Sequence, residues 1–201
     1  MTDAERLSPL PFEQWDDGAR AVLPAYLGRP ELYTGPDARP MPKVMGLLAH
    51  NAALGQGWLE FNALLAKSAT VEARLRELII LRVAWVTRSA YEWSQHTRIG
   101  HHAGLTTDQL HAIPQGPAAE LWSPVERAVL AAVDQLIVRQ VVDDETWAQL
   151  AEHFDRAQLL EVLFTAGTYI CFAAVCNSAA LSPDPPTEVI DAPELPGAAT
   201  P

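Results

Sequence analysis

Residues 76–105 read RELIILRVAWVTRSAYEWSQHTRIGHHAGL, and this stretch decides the fold. Its first part contains LIILRVAWV at 78–86, an apolar run that suits either a strand or a buried helix. Length arbitrates. The segment from Val71 to Thr87 is too long for an ordinary strand, and its first turns carry Glu72, Arg74 and Glu77, so it reads as a buried helix. Thr87, Arg88 and Ser89 make a short turn with Ser89 as an N-cap. A second helix follows from Ala90 to His102 and stops at Gly104. The pair forms a helical hairpin.

Chemistry-bearing residues fall on that hairpin. Glu92 and His96 are four apart, so their side chains share one helical face, where a carboxylate can orient an imidazole and raise its basicity. Glu77 lies on the preceding helix, about as far from the turn as His96, and the two can face each other across the hairpin. An aliphatic run follows Glu77, so its surroundings are buried and its carboxylate needs a partner. Arg74 and Arg82 are alternative partners in a purely structural pair, and a Glu and His at this spacing also occur as an ordinary surface ion pair.

Outward from the hairpin the pattern stays helical. Pro42 to about Leu54 reads as one helix and Gly57 to Lys67 as the next, separated by Gly55 and Gly57. Beyond the hairpin, Thr106 or Thr107 caps a short helix leading to Pro114, and Ser123 caps a helix from Pro124 to Arg139. Asp143 or Asp144 opens a helix through His153, and Asp155 opens the last one, ending near Leu181. Val162 to Ala180 holds no charged residue, a length that reaches a membrane span. Its Thr165, Gly167, Thr168, Tyr169, Asn177 and Ser178 and its lack of a basic flank make it a fully buried or subunit-interface helix instead. The fold is expected to be all-α.

The first forty residues carry six prolines and admit only short helical pieces, one of them from Phe12 to Tyr26. They read as an arm (1–40) wrapping a helical domain (41–182), with a flexible, proline-rich tail (183–201). A net charge of -11 argues against nucleic acid and anionic membranes as partners and says little about a small-molecule substrate. MTDAERLSPLPFEQW lacks the basic start and apolar core of a secretion signal, and Cys171 and Cys176 point to different helical faces, as reduced thiols of a cytoplasmic protein. His96, His101 and His102 do not share one face, so no metal site is expected. His101 and His102 read as surface groups at a helix end.

RELIILRVAW (76–85), YEWSQH (91–96) and HAGLT (102–106) arrive in an order that resembles the carboxymuconolactone decarboxylase family, within the AhpD-like superfamily. Weaker echoes are the L-L-x-H-N-x-x-L stretch at 47–54 and the segment from Asp155 to Leu181, so the resemblance covers roughly Met41 to Leu181. In the peroxidase branch a glutamate relays protons to a C-x-x-C pair followed by a histidine. Glu77 and His96 match the glutamate and histidine, while Ser89 and Glu92 stand where the cysteines would be. Thiol chemistry needs thiolates, so a peroxidase or disulfide reductase is the disfavoured alternative. The resemblance to the decarboxylase branch implies a lyase or related proton-transfer enzyme, without cofactor or metal, acting on a small carboxylated lactone or carbonyl compound. It implies His96 as the proton-transfer group, Glu92 as orienter or second acid, Glu77 on the other side of the ring, Tyr91 as a donor and Arg82 as a substrate anchor. It also implies a homo-oligomer, trimer or hexamer. The remaining alternative is an inert oligomeric binding protein, with Glu92 and His96 exposed.

Overall fold

The apolar run at 78–86 is helical throughout, within α4 (Ala73–Thr87). The computed structural model describes residues 5–27, 30–33, 38–67 and 69–196, and every regular element among them is helical. The chain is all-α, as its periodicity requires. It falls into two compact units, Met1–Ser68 with Ser178–Asp184, and Ala69–Asn177 with Pro185–Pro201.

In the second unit α4 is buried on nearly every side, which is why its sequence shows no polar face. Leu75, Ile79 and Val83 enter one apolar cluster, with Val129 and Val133 of α7 (Pro124–Arg139), Leu150 of α8 (Asp144–Ala151) and Val162 of α9 (Arg156–Ala179). Leu78, Leu81 and Ala84 enter another, with Trp93 of α5 (Ala90–His102), Leu110 of α6 (Thr107–Ala112), Trp122 and Leu130. Burying a Leu, Ile or Val contributes about 1.5–3 kcal/mol, so this one helix anchors the unit.

Local signals set the helix ends. Arg88 adopts the left-handed conformation (φ 57°), and the Ser89 N–H donates to the Ala84 carbonyl at 2.9 Å, closing α4. Gly104, at φ 102°, ends the turn after α5 where a side chain would be strained. Thr106 with Gln109 and Ser123 with Glu126 form reciprocal capping boxes, and Asp143 caps α8.

Two expectations need correction. The first is a break at Gly55 and Gly57. α3 runs unbroken over Ala52–Lys67 after α2 (Lys43–Leu48) and a 3-10 turn. A Cβ on Gly55 would lie 3.0 Å from the Leu48 carbonyl oxygen, so this glycine permits close packing and does not end the helix. The described part of the arm keeps to the short helical pieces expected. Residues 12–26 form short 3-10 turns and α1 (Asp17–Val22), as the prolines demand, and Trp15, Ala19 and Leu23 build an apolar cluster with Met45 and Ala49 of the same unit.

The second correction concerns α9. α9 is long and apolar enough to cross a membrane by length and composition. It is not fully buried. Leu159, Val162 and Ala166 pack inward, while Leu160, Phe164 and Val175 are 55%, 49% and 44% exposed. The tail is held down over its described part. Trp93 donates its ring N–H to the Pro193 carbonyl at 3.2 Å, His102 pairs with Glu188 and His111 with Asp191, and Leu195 is buried. Residues 197–201 of the expected tail, and Pro36 of the expected arm, lie outside the described residues.

Candidate active site

Packing α5 against α4 brings two of the sequence candidates into contact. The His96 Nδ1–H donates to Glu77 Oε2 at 2.7 Å, from one helix to the other. The Glu77 side chain is 5% exposed and that of His96 14%, so the bond is shielded while the ring keeps an outlet. With Nδ1 committed to the carboxylate, Nε2 is the nitrogen that can take or give a proton.

The competing structural partners of Glu77 are engaged elsewhere. Arg74 is paired with Glu126. Arg82 donates through Nε and an Nη to the two Asp134 carboxylate oxygens at 2.7 and 2.8 Å, and through its other Nη to the Ile113 and Pro114 carbonyls. This is the internal pairing expected as the alternative to a substrate-anchoring role for Arg82. Its guanidinium is consumed in holding α4 to α7 and to the turn after α6.

Glu92 behaves differently from the spacing argument. Four residues before His96, it is not the group bonded to the ring. It is 1% exposed, and neither carboxyl oxygen has a hydrogen-bond partner in the chain. Burial pushes its carboxyl up to about 8, with the nearby Ser89 hydroxyl pulling weakly the other way without reaching hydrogen-bond geometry. At neutral pH Glu92 is therefore mainly a neutral acid, able to donate. The two glutamates thus differ: Glu77 is hydrogen-bonded to the imidazole, and Glu92 is buried without a partner.

Two residues on α9 complete the surroundings, neither of them among the site residues expected from the sequence. The Tyr169 ring meets the His96 ring edge-on, with centroids 5.0 Å apart. Burial and the charges of Glu77 and Glu92 hold its phenol above the usual tyrosine range. Cys176 is 1% exposed, and burial, with the Glu92 charge second, pushes its thiol up to about 12. Their spacing of seven, two helical turns, places both on one face of α9, the signal that could have found them. Tyr91, the expected donor, is buried beside Glu92 in sequence, and the Tyr169 ring contacts His96. His102 holds the C-terminal segment through Glu188. Among the described residues no group of three or more His, Cys, Asp or Glu side chains is placed to hold a metal ion.

Comparison with known proteins finds a family likeness that includes the hairpin. Residues 52–135, which include the whole hairpin, match the Carboxymuconolactone decarboxylase family. The protein YdfG of Bacillus subtilis (strain 168) is 26% identical over 99 residues, 48% of this chain and 67% of YdfG. Among solved structures, the peroxidase-related protein of Ralstonia eutropha JMP134, an alkylhydroperoxidase AhpD core, superposes with a TM-score of 0.72 at 16% identity, over 90% of this chain and 94% of that one. A variant of the debrominase Bmp8, in complex with 2,3,4-tribromopyrrole, superposes with a TM-score of 0.68 at 14% identity, over 87% and 89%. At such identities the likeness is one of fold.

Proposed function

We propose that the chain is a non-redox, cofactor-free proton-transfer enzyme of the lyase type, within the carboxymuconolactone decarboxylase and AhpD-like superfamily that its hairpin matches. Its substrate class is a small carboxylated lactone or carbonyl compound. The observation that carries this reading is the Glu77–His96 hydrogen bond, on the same hairpin as the buried, unpaired Glu92.

The chemistry follows from the charge states. In a decarboxylation the C–C bond to the carboxylate breaks, CO2 leaves, and the electron pair moves through the conjugated system onto the carbonyl oxygen. Glu92, as a neutral acid, donates a hydrogen bond where that charge develops. His96, protonated at Nε2 and held by Glu77, returns a proton to carbon, and solvent restores the imidazolium. A related enolisation uses the same groups without loss of CO2. Tyr169 fixes the plane of the imidazole by its edge-on contact.

Two observations support this over a thiol peroxidase. Ser89 and Glu92 occupy the positions of the paired cysteines, and the Cys176 thiol, pushed up to about 12, is a poor source of thiolate. The burial of Glu92 weighs against an inert binding protein, which has no use for a buried carboxyl without a partner. The test is turnover of a panel of lactones and β-keto acids. His96→Ala in a folded protein is expected to lower kcat/KM by roughly 10²–10⁴-fold, the span of general acid–base catalysis. Unchanged turnover in that variant, or peroxide-dependent consumption of thiol by the native protein, contradicts the reading.

A further inference from the structure

The sequence holds the pattern S-x-x-E at two helix starts, Ser89–Glu92 and Ser123–Glu126. That pattern is a capping box, in which the two side chains satisfy the free backbone N–H groups of the first turn. At Ser123 it closes: the Ser123 N–H donates to Glu126 Oε2 at 2.8 Å, and the Ser123 hydroxyl donates to the same oxygen at 2.5 Å. At Ser89 it stays open. The Ser89 N–H is already taken by the Ala84 carbonyl, which closes α4, so the hairpin turn withdraws the group that Glu92 would have bonded. Ser89 is 0% exposed with an unpartnered hydroxyl, and Glu92 is 1% exposed with two unpartnered oxygens. They lie three residues apart, on one face of α5, one turn before His96.

A buried polar pair that its own chain leaves unsatisfied is completed by something from outside. The choice of ligand follows from charge. Arg74 and Arg82 are committed to Glu126 and Asp134, so neither is free to balance a buried anion. A hydroxyl and a neutral carboxyl offer two O–H donors, which fit a single neutral oxygen with two lone pairs. We propose that Ser89 Oγ and the Glu92 carboxyl form a two-donor subsite that receives the uncharged carbonyl oxygen of a small lactone or ketone. This rests on the proton-transfer reading and sharpens it: the carbonyl end of the substrate goes to Ser89 and Glu92, and any carboxylate on it points elsewhere.

The test is a binding experiment separate from turnover. The native protein is titrated with 2(5H)-furanone carrying carbon-13 at the carbonyl, with acetate as the anionic control, and the carbonyl resonance is followed. The expected result is saturable binding with a downfield carbonyl shift, against no saturation by acetate. Ser89→Ala is expected to weaken binding about tenfold, the loss of one hydrogen bond to a neutral acceptor. Native binding is expected to weaken as pH rises through about 8, where Glu92 loses its proton, whereas Glu92→Gln keeps an N–H donor and binds without that pH dependence. Failure of the furanone to bind, or binding unchanged in both variants, overturns the subsite and shows that water alone completes the pair. Furanone binding that follows this pattern, in a protein that turns over no lactone or keto acid, keeps the subsite and removes the proton-transfer reading.

Discussion

The Glu92 side chain carries the most distinctive energetics of the molecule. Below about pH 4.5 both folded and unfolded chains hold its proton, and between 4.5 and about 8 only the folded chain does, so folding stability falls as pH rises through that window. By linkage the loss reaches about 3 kcal/mol at pH 7. Glu92→Gln removes the titration, so its stability relative to the native protein is expected to rise steadily from pH 4.5 to 8 in urea unfolding. A constant difference across that range contradicts a buried, proton-holding Glu92. The sequence made Glu92 a candidate by its distance from His96, but that spacing implied the wrong partner. Which carboxylate meets the ring depends on how α4 and α5 rotate against each other, and a single helix does not encode that. Glu77 was accessible because a carboxylate ahead of an aliphatic run must find a partner. For Tyr169 and Cys176 the spacing of seven gives a shared helical face, and what that face meets comes only from tertiary packing.

The hairpin of α4 and α5 was legible because length, charged first turns and a glycine stop agreed with one another. The glycines of α3 were misleading because a residue that ends helices also allows backbones to approach, and sequence does not distinguish the two uses. Arg82 is the corresponding lesson in function. The resemblance implied a substrate anchor or an internal ion pair, and its guanidinium is engaged as a tie between elements. Arg82→Ala leaves Asp134 and two carbonyls without their donor, and is expected to cost about 3 kcal/mol of stability. In the fraction that folds, KM is expected to stay unchanged. A raised KM in a stably folded Arg82→Ala protein contradicts the structural role and restores the anchoring one.

At the scale of the whole molecule, α9 presents an exposed apolar stripe of Leu160, Phe164, Cys171 and Val175 on one helical face. We propose that this stripe joins copies of the chain into a homo-oligomer. Light scattering is expected to give a multiple of the 21.9 kDa chain mass, and Phe164→Glu to reduce it towards the monomer. A monomeric native protein at micromolar concentration sinks that proposal and leaves the active-site account intact. The all-α class was legible throughout, because periodicity is local. The expected arm and tail were harder, since proline density reports what a segment cannot form and not what it packs against. The central claim is that the Glu77-held His96 moves a proton at a substrate carbon, and deuterium incorporation from D2O measures it directly. A lactone or keto acid found to turn over is treated in D2O and its product examined by NMR. Carbon-bound deuterium made by the native protein and lost in folded His96→Gln and Glu77→Gln variants is the result expected. Deuterium delivered equally well by those variants, or turnover that places none on carbon, contradicts the account.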